Sequence, residues 1–208
     1  MKFFKALFKF FLVVGIFAVL GKIFLFDVVK TDSFNMVPNL MPGDVVLVSR
    51  HAALEHGDIA VCTDPLDNTR LLALRVMAMD GETIAFDRNS PVVDGKKLQR
   101  ETGRGGVYSD TSTVEEFEFE VTISPEENGG KTYNVAVARG FRGRSMRERK
   151  VSIGLFLVGD NRNHAYDSDS RKFGAVDAET CLGQAVLVLW AGDDSGDLLA
   201  DDRWLARL

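Results

Sequence analysis

The chain divides near residue 30 into two parts of different character. Eight of its 15 Phe lie in the first 30 residues, which carry five Lys and one Asp. The remaining residues carry 29 Asp and Glu against 20 Lys and Arg, and they show the patterns of β-strands. Because the overall net charge is −5, we predict no nucleic-acid partner.

The N-terminal part contains an apolar run over positions 10–26 that is interrupted by a single charge, Lys22. As a helix, this run of 17 residues spans about 26 Å, close to the ~30 Å hydrocarbon core of a bilayer. A cleaved signal peptide and a buried helix are the alternatives. However, the best cleavage pattern, Val19-Leu20-Gly21, is poor, and the run lacks a polar face. We therefore predict a single-pass anchor at residues 1–29. Lysines precede the run, so we expect a cytoplasmic N-terminus and a C-terminal part exported across the plasma membrane.

Short apolar or alternating segments after residue 30 predict β-strands joined by tight turns. The clearest is 115–123, where apolar residues occupy every second position. Similar patterns predict strands at 44–49, 58–62, 71–79, 83–86 and 132–138, and a hairpin that begins at 91–95. The segments are not separated by amphipathic helices, which argues against a doubly wound α/β fold. We predict a mainly β domain at residues 30–208, an antiparallel sheet or barrel with an insert at about 99–150.

Two features of this domain have more than one interpretation. Cys62 and Cys181 form a disulfide in an exported domain, or they are two buried thiols. The segment 139–150 carries six Lys and Arg against one Glu. It is either a solvated loop or a contact surface for anionic lipid or an acidic partner.

Three separated segments, at residues 31–44, 74–82 and 159–174, carry the most specific pattern in the chain. Together, behind an apolar N-terminus, they resemble the bacterial type I signal peptidases. Those are membrane-anchored serine proteases that remove signal peptides at the outer face of the plasma membrane. The residues that carry the resemblance are Met36, Pro38, Gly43 and Asp44 in the first segment, Arg75 and Gly81 in the second, and Gly159, Asp160, Asn161, Arg162, Asp169, Ser170, Arg171 and Gly174 in the third.

The resemblance implies a catalytic Ser–Lys dyad, but this chain departs from it at both positions. The family's Ser precedes the Met of the first segment, where this chain has Asn35. Its Lys precedes the Arg of the second segment, where this chain has Leu74. A hydroxyl needs a base beside it to act as a nucleophile, and neither replacement supplies that chemistry. We therefore predict that the chain is catalytically inactive.

No other residue is an obvious substitute for the dyad. Ser33 lies where the family often has a Ser that assists the oxyanion hole, and it is equally well read as a solvated turn residue. Lys30 is three residues away, so we expect it on the opposite face of a strand. His51, His56 and His164 do not occupy the Lys position. His164 lies inside the third segment, and we interpret it as a surface residue.

The third segment is two residues longer than the resemblance implies, because Asn161 and Arg171 are ten positions apart. Asp167 then stands where a Ser would orient the catalytic Lys. We expect Asp169 and Arg171 to form an acid–base pair that braces the loop. The acidic residues here have ligand types that suit a hard cation, but they lack the spacing of a known binding loop. We predict no metal and no cofactor.

Three functional hypotheses follow from these observations. The first is an inactive relative of the signal peptidases that binds or chaperones exported polypeptides by strand addition, in a cell that also holds an active paralogue. The second is an active signal peptidase with a non-standard dyad. The third is a membrane-tethered interaction module whose functional surface is the basic segment 139–150.

Overall fold

The computed structural model describes residues 2–110, 117–140, 143–165, 169–192 and 205–208. Asp167, part of the third segment, lies outside these residues, as do parts of the predicted insert and of the basic segment. The described elements are the helices α1 (Lys2–Phe24) and α2 (Ser170–Phe173) and the strands β1 (Phe26–Lys30), β2 (Val45–Ser49), β3 (Ile59–Asp64), β4 (Asp67–Met79), β5 (Thr83–Asp87), β6 (Ser90–Val93), β7 (Lys96–Lys97), β8 (Arg104–Asp110), β9 (Phe117–Asn128), β10 (Lys131–Ala138), β11 (Met146–Lys150), β12 (Leu155–Val158) and β13 (Cys181–Trp190).

The strands form three sheets, and all their described ladders are antiparallel. The largest has the order β1-β2-β13-β3-β4-β12, and the others have the orders β11-β5-β6-β7 and β10-β9-β8. The prediction of a mainly antiparallel β protein is therefore confirmed.

The alternation predicted for residues 115–123 appears in β9. Val121 and Ile123 are buried, whereas Glu118 and Glu120 are exposed. The sheet of β8, β9 and β10 packs these apolar side chains against Phe34 and Met41 of the first segment. The insert therefore shares a hydrophobic core with the predicted site.

The largest core cluster lies on the six-stranded sheet, because its central strands are apolar at successive positions. Val46, Val61, Leu74 and Val188 are each fully buried in it. Strands buried in this way read as continuous apolar runs, which is why the segment 71–79 showed no alternation.

Helix α1 covers most of the predicted membrane anchor, and its described side chains are exposed, including Phe8 and Phe17. The uncharged run between Lys9 and Lys22 contains 12 residues, about 18 Å of helix, compared with the ~30 Å that a hydrocarbon core requires. Within the described ranges, no helix is both long enough and apolar enough to cross a membrane. The predicted single-pass anchor is thus not supported.

The structure decides between the two interpretations of the cysteines. Cys62 and Cys181 are partners in the register of β3 and β13, and their sulfurs form a disulfide. The bond closes a loop between positions 119 residues apart and fixes β13 in the middle of the largest sheet.

Reduction of this disulfide should lower the free energy of unfolding by about 2–5 kcal/mol, because the reduced unfolded chain regains the freedom that the closed loop removes. Urea unfolding with and without dithiothreitol measures the change. The Cys62→Ser/Cys181→Ser variant serves as the control and should not respond to the reductant. Equal urea midpoints for the oxidised and reduced wild type would contradict the prediction.

Candidate functional site

The buried carboxylate of Asp160 joins the three segments singled out by the sequence. Arg75, on β4, donates from Nε to Oδ1 at 2.7 Å and from Nη2 to Oδ2 at 2.6 Å. Asn39 of the first segment donates from Nδ2 to Oδ2 at 2.6 Å. Arg75 also donates to the carbonyl of Gly57 at 2.6 Å, and its guanidinium lies 3.9 Å from the ring centroid of Tyr133. Both buried charges are thereby paired and hydrogen-bonded, as burial requires.

Asn35 lies in a short 3₁₀ helix, Phe34–Met36, at the start of the first segment. Ser33 caps this helix, because its Oγ accepts a hydrogen bond from the backbone N–H of Asn35 at 3.1 Å. The adjoining Val37–Pro38 peptide bond is cis. Met36 belongs to the main core cluster, which holds the helix against the six-stranded sheet.

The turn that follows is closed by Asp44, which is fully buried. Its Oδ2 accepts a hydrogen bond from the N–H of Met41 at 2.8 Å, and its Oδ1 accepts one from the N–H of Gly192 at 2.8 Å. Gly43 within this turn has a φ of 89°, a left-handed conformation that favours glycine.

Backbone contacts hold the third segment against Asn35. The N–H of Asn161 donates to the carbonyl of Asn35 at 2.9 Å. The side-chain amide of Asn161 donates to the carbonyl of Phe34 at 3.3 Å. A Cβ on Gly159 would lie 2.6 Å from the Asn35 carbonyl oxygen, so only glycine permits this approach.

The end of the third segment is an internally braced turn. The expected pair is present, because Arg171 Nη2 lies 2.7 Å from Asp169 Oδ2 and both side chains are buried. Burial raises the pKa of Asp169, although the Arg171 guanidinium opposes the shift. Ser170 Oγ accepts a hydrogen bond from the N–H of Leu157 at 2.9 Å, and Gly174 ends helix α2 with a φ of 93°. These contacts connect the turn to β12.

Leu74 lies on β4, directly opposite Ala60 of β3, and is fully buried. It belongs to the same core cluster as Met36, and the 3₁₀ helix that carries Asn35 contacts β4. Gly81 follows at the turn between β4 and β5, with a φ of 91°. The positions that the resemblance assigns to the dyad are therefore on neighbouring elements, one of them deep in the core.

A narrow groove runs beside Asn35 between two strand edges, and we call it the edge groove. Strand β12 pairs with β4 only from Arg75 to Met79, so residues 71–74 have a described ladder only with β3. Across the groove, β1 is the outermost strand of its sheet. The groove encloses about 20 Å³ and is lined by Val29, Lys30, Thr31, Asp32, Ser33, Asn35, Met36, Leu40, Val61, Leu71, Leu72 and Ala73.

Comparison with known proteins connects this arrangement to one family. The family model described as "Signal peptidase, peptidase S26" matches residues 4–190. The chain belongs to the signal peptidase S26 family. It is 24% identical to Signal peptidase I from a serotype 4 strain of Streptococcus pneumoniae, over 82% of this chain and 85% of the relative. It is 23% identical, with the same coverage, to Signal peptidase I from Streptococcus pneumoniae strain R6.

The side chains considered as substitutes for the dyad are placed as follows in this signal peptidase relative. Lys30 lines the edge groove together with Ser33, although we expected it on the opposite face. The reason is that β1 ends at Lys30, before Ser33. No hydrogen bond joins their side chains within the described ranges.

None of the three histidines lines the groove. His51 bonds to the carbonyl of Phe24 at 2.8 Å and His56 to Glu82 at 2.7 Å, whereas His164 is exposed beside the Phe34 ring.

Sequence reasoning missed a buried ionic network that supports the third segment. Glu126, on β9, accepts hydrogen bonds from Arg162 Nη1 at 3.2 Å, from Arg100 Nη2 at 2.6 Å and from the Tyr133 hydroxyl at 3.2 Å. Burial raises the pKa of Glu126, but the positive charges of Arg162 and Arg100 have the larger effect and hold the pKa below its ordinary value.

In the described ranges, no group of His, Cys, Asp or Glu side chains is arranged to hold a metal ion.

The substitution Glu126→Gln should destabilise the protein by about 3–5 kcal/mol at neutral pH, because it leaves Arg162 buried without its anionic partner. The pKa of Glu126 is lowered in the folded state, so its contribution to stability is complete above the unfolded pKa, near 4.5, and is lost as the pH falls below that value. The difference in unfolding free energy between wild type and variant should therefore shrink as the pH falls. Denaturant unfolding from pH 3 to pH 7 measures it.

The matched control is Glu120→Gln, which alters an exposed carboxylate on the same strand. Its effect should stay within about 0.5 kcal/mol, as is usual for surface substitutions. Equal destabilisation by the two substitutions would show that the ion pair of Glu126 with Arg162 does not stabilise the third segment.

Proposed function

We propose that this signal-peptidase-like protein binds extended segments of exported polypeptides in the edge groove and does not cleave them. The observation that supports this most directly is the pair of open strand edges that flank the groove, with Asn35 rather than a Ser between them. A bound strand needs only backbone N–H and C=O groups to pair with, and strand addition supplies its affinity without a nucleophile.

The chemistry of the two dyad positions supports binding without cleavage. The Asn35 carboxamide is not a practical acyl acceptor, and Leu74 has no titratable proton. Among the described residues, two that carry a hydroxyl line the groove: Thr31, which donates to the carbonyl of Met41, and Ser33, which accepts the capping hydrogen bond. Lys30 lines the same groove, but among the described residues no hydrogen bond joins it to Ser33, and a hydroxyl that no base contacts is a weak nucleophile at neutral pH.

The groove also indicates what kind of ligand it accepts. Its walls include the apolar side chains of Val29, Leu72 and Ala73. At its mouth, Arg70 and Asp32 form an exposed ion pair at 3.4 Å between the two edges. Apolar side chains of a bound strand would match the character of these walls, and the exposed ion pair can separate at little cost when the strand enters.

A labelled synthetic signal peptide should bind the purified protein, and its affinity should fall at least tenfold when alternate residues of the peptide are N-methylated. N-methylation removes the N–H donors that strand pairing requires, while the side chains stay the same. The substitution Ala73→Tyr should abolish binding by filling the groove. Fluorescence anisotropy measures both effects.

The control for Ala73→Tyr is Ala175→Tyr, at an exposed position that does not line the groove. It should bind the peptide like the wild type. If N-methylated and unmodified peptides bind equally, the bound segment is not held as an added strand.

The Asn35→Ser/Leu74→Lys double variant should cleave a preprotein that the wild type leaves intact. A Lys buried at position 74 would have a pKa lowered towards neutrality, as a general base for Ser requires. Each single variant should be inactive, because the two residues act as a unit. Gel analysis of the processed product measures cleavage.

The same assay tests the hypothesis of an active enzyme. Cleavage by the wild type that is lost in Ser33→Ala or Lys30→Ala would overturn the proposal and assign the reaction to those two groove residues. Wild-type cleavage that is insensitive to both substitutions would point to a contaminating peptidase.

A further inference from the structure

The side chain of Asn35 differs from the other buried asparagines of the described structure. Asn89, Asn128 and Asn161 each donate a side-chain hydrogen bond to another residue. Asn35 is only 4% exposed, yet in the described ranges no residue bonds to its carboxamide. Its backbone, by contrast, is satisfied, because the N–H donates to Ser33 Oγ and the carbonyl accepts from Asn161.

An unpaired buried carboxamide is costly. A buried donor or acceptor without a partner costs about 1–3 kcal/mol, and a carboxamide contains both kinds of group. Because such groups are rare in folded proteins, one that persists calls for an explanation. Asn35 lines the edge groove, so a ligand that enters the groove can reach its amide.

The geometry of an extended chain identifies the ligand group. In a β-strand, the N–H and the C=O of one residue point to the same side, and a neighbouring strand bonds to both. A carboxamide offers a donor and an acceptor side by side and can replace one residue of such a neighbouring strand. Residues 29–33 and 71–73 flank Asn35 on both sides of the groove, where a bound strand would lie.

We propose that Asn35 is a binding residue whose carboxamide forms two hydrogen bonds with the backbone of one residue of the bound polypeptide. Its Nδ2 donates to the carbonyl oxygen of that residue, and its Oδ1 accepts from the N–H of the same residue. The inference rests on the proposed function and deepens it. It assigns the recognition of one backbone position, independent of side chain, to the residue that replaces the nucleophile.

The test compares peptide binding by the full chain and by variants at position 35, using the labelled signal peptide. The substitution Asn35→Ala should weaken binding about 10- to 100-fold, the loss expected for two hydrogen bonds. Asn35→Asp should weaken it similarly, because a carboxylate cannot donate. The matched control, Asn68→Ala, changes an exposed asparagine at the start of β4 and should bind like the wild type.

Two further measurements distinguish peptide binding by the Asn35 carboxamide from a structural role of this residue. First, thermal unfolding of the ligand-free protein should show Asn35→Ala to be at least as stable as the wild type, because no hydrogen bond is lost. Second, single N-methyl groups should be scanned along the peptide. One position should be critical for the wild type, and the same position should lose its importance in Asn35→Ala.

The outcomes separate this inference from the proposed function. If the wild type binds no peptide, the proposed function is wrong and the role of Asn35 fails with it. If Asn35→Ala binds the peptide as tightly as the wild type, the groove binds polypeptide without hydrogen bonds from Asn35, and the inference is overturned. If Asn35→Ala is both less stable and weaker in binding, with its N-methyl profile unchanged, the residue is structural and the inference is overturned.

Discussion

The buried ion pair between Arg75 and Asp160 is the interaction on which the rest of the site depends. It joins strand β4 to the third segment, and Asn39 connects the first segment to the same carboxylate. Both side chains are buried, so a change that removes one partner leaves the other charge buried and uncompensated. The same junction connects the two sides of the edge groove, because residues 71–74 continue into Arg75 and the opposite side leads into Asn39.

A second buried pair extends this support into the insert. Arg162, two residues beyond Asp160, is fully buried, and its guanidinium is neutralised by Glu126 of β9. Backbone hydrogen bonds from Ala136 to Asp160 and from Arg162 back to Ala136 bind the third segment to β10. The three-stranded sheet therefore supports the site, because it supplies the buried polar partners of Arg162 and backbone partners of Asp160.

The sequence predicted what depends on local patterns and failed where distant partners decide. Alternation revealed β9, and turn residues placed β2 to β5, since each pattern is set by neighbouring residues. The role of Glu126 was invisible because Glu127 beside it has the same chemistry, and only the position of Arg162 in the fold distinguishes them. Likewise, the disulfide depended on the register of β3 and β13, and the length of an apolar run did not establish a membrane-spanning helix.

The framework of the site and its chemistry are separable in physical terms. Two buried pairs, Arg75 with Asp160 and Arg171 with Asp169, are held by side-chain hydrogen bonds that do not involve position 35 or 74. At position 74, a Lys would have to be buried in the apolar cluster, and Leu avoids the cost of burying that charge while adding apolar contact. A chain with this framework keeps its groove and its strand edges whether or not a nucleophile and base are present. The proposed strand binding depends on this framework alone, whereas cleavage would also require a nucleophile at position 35 and a base at position 74.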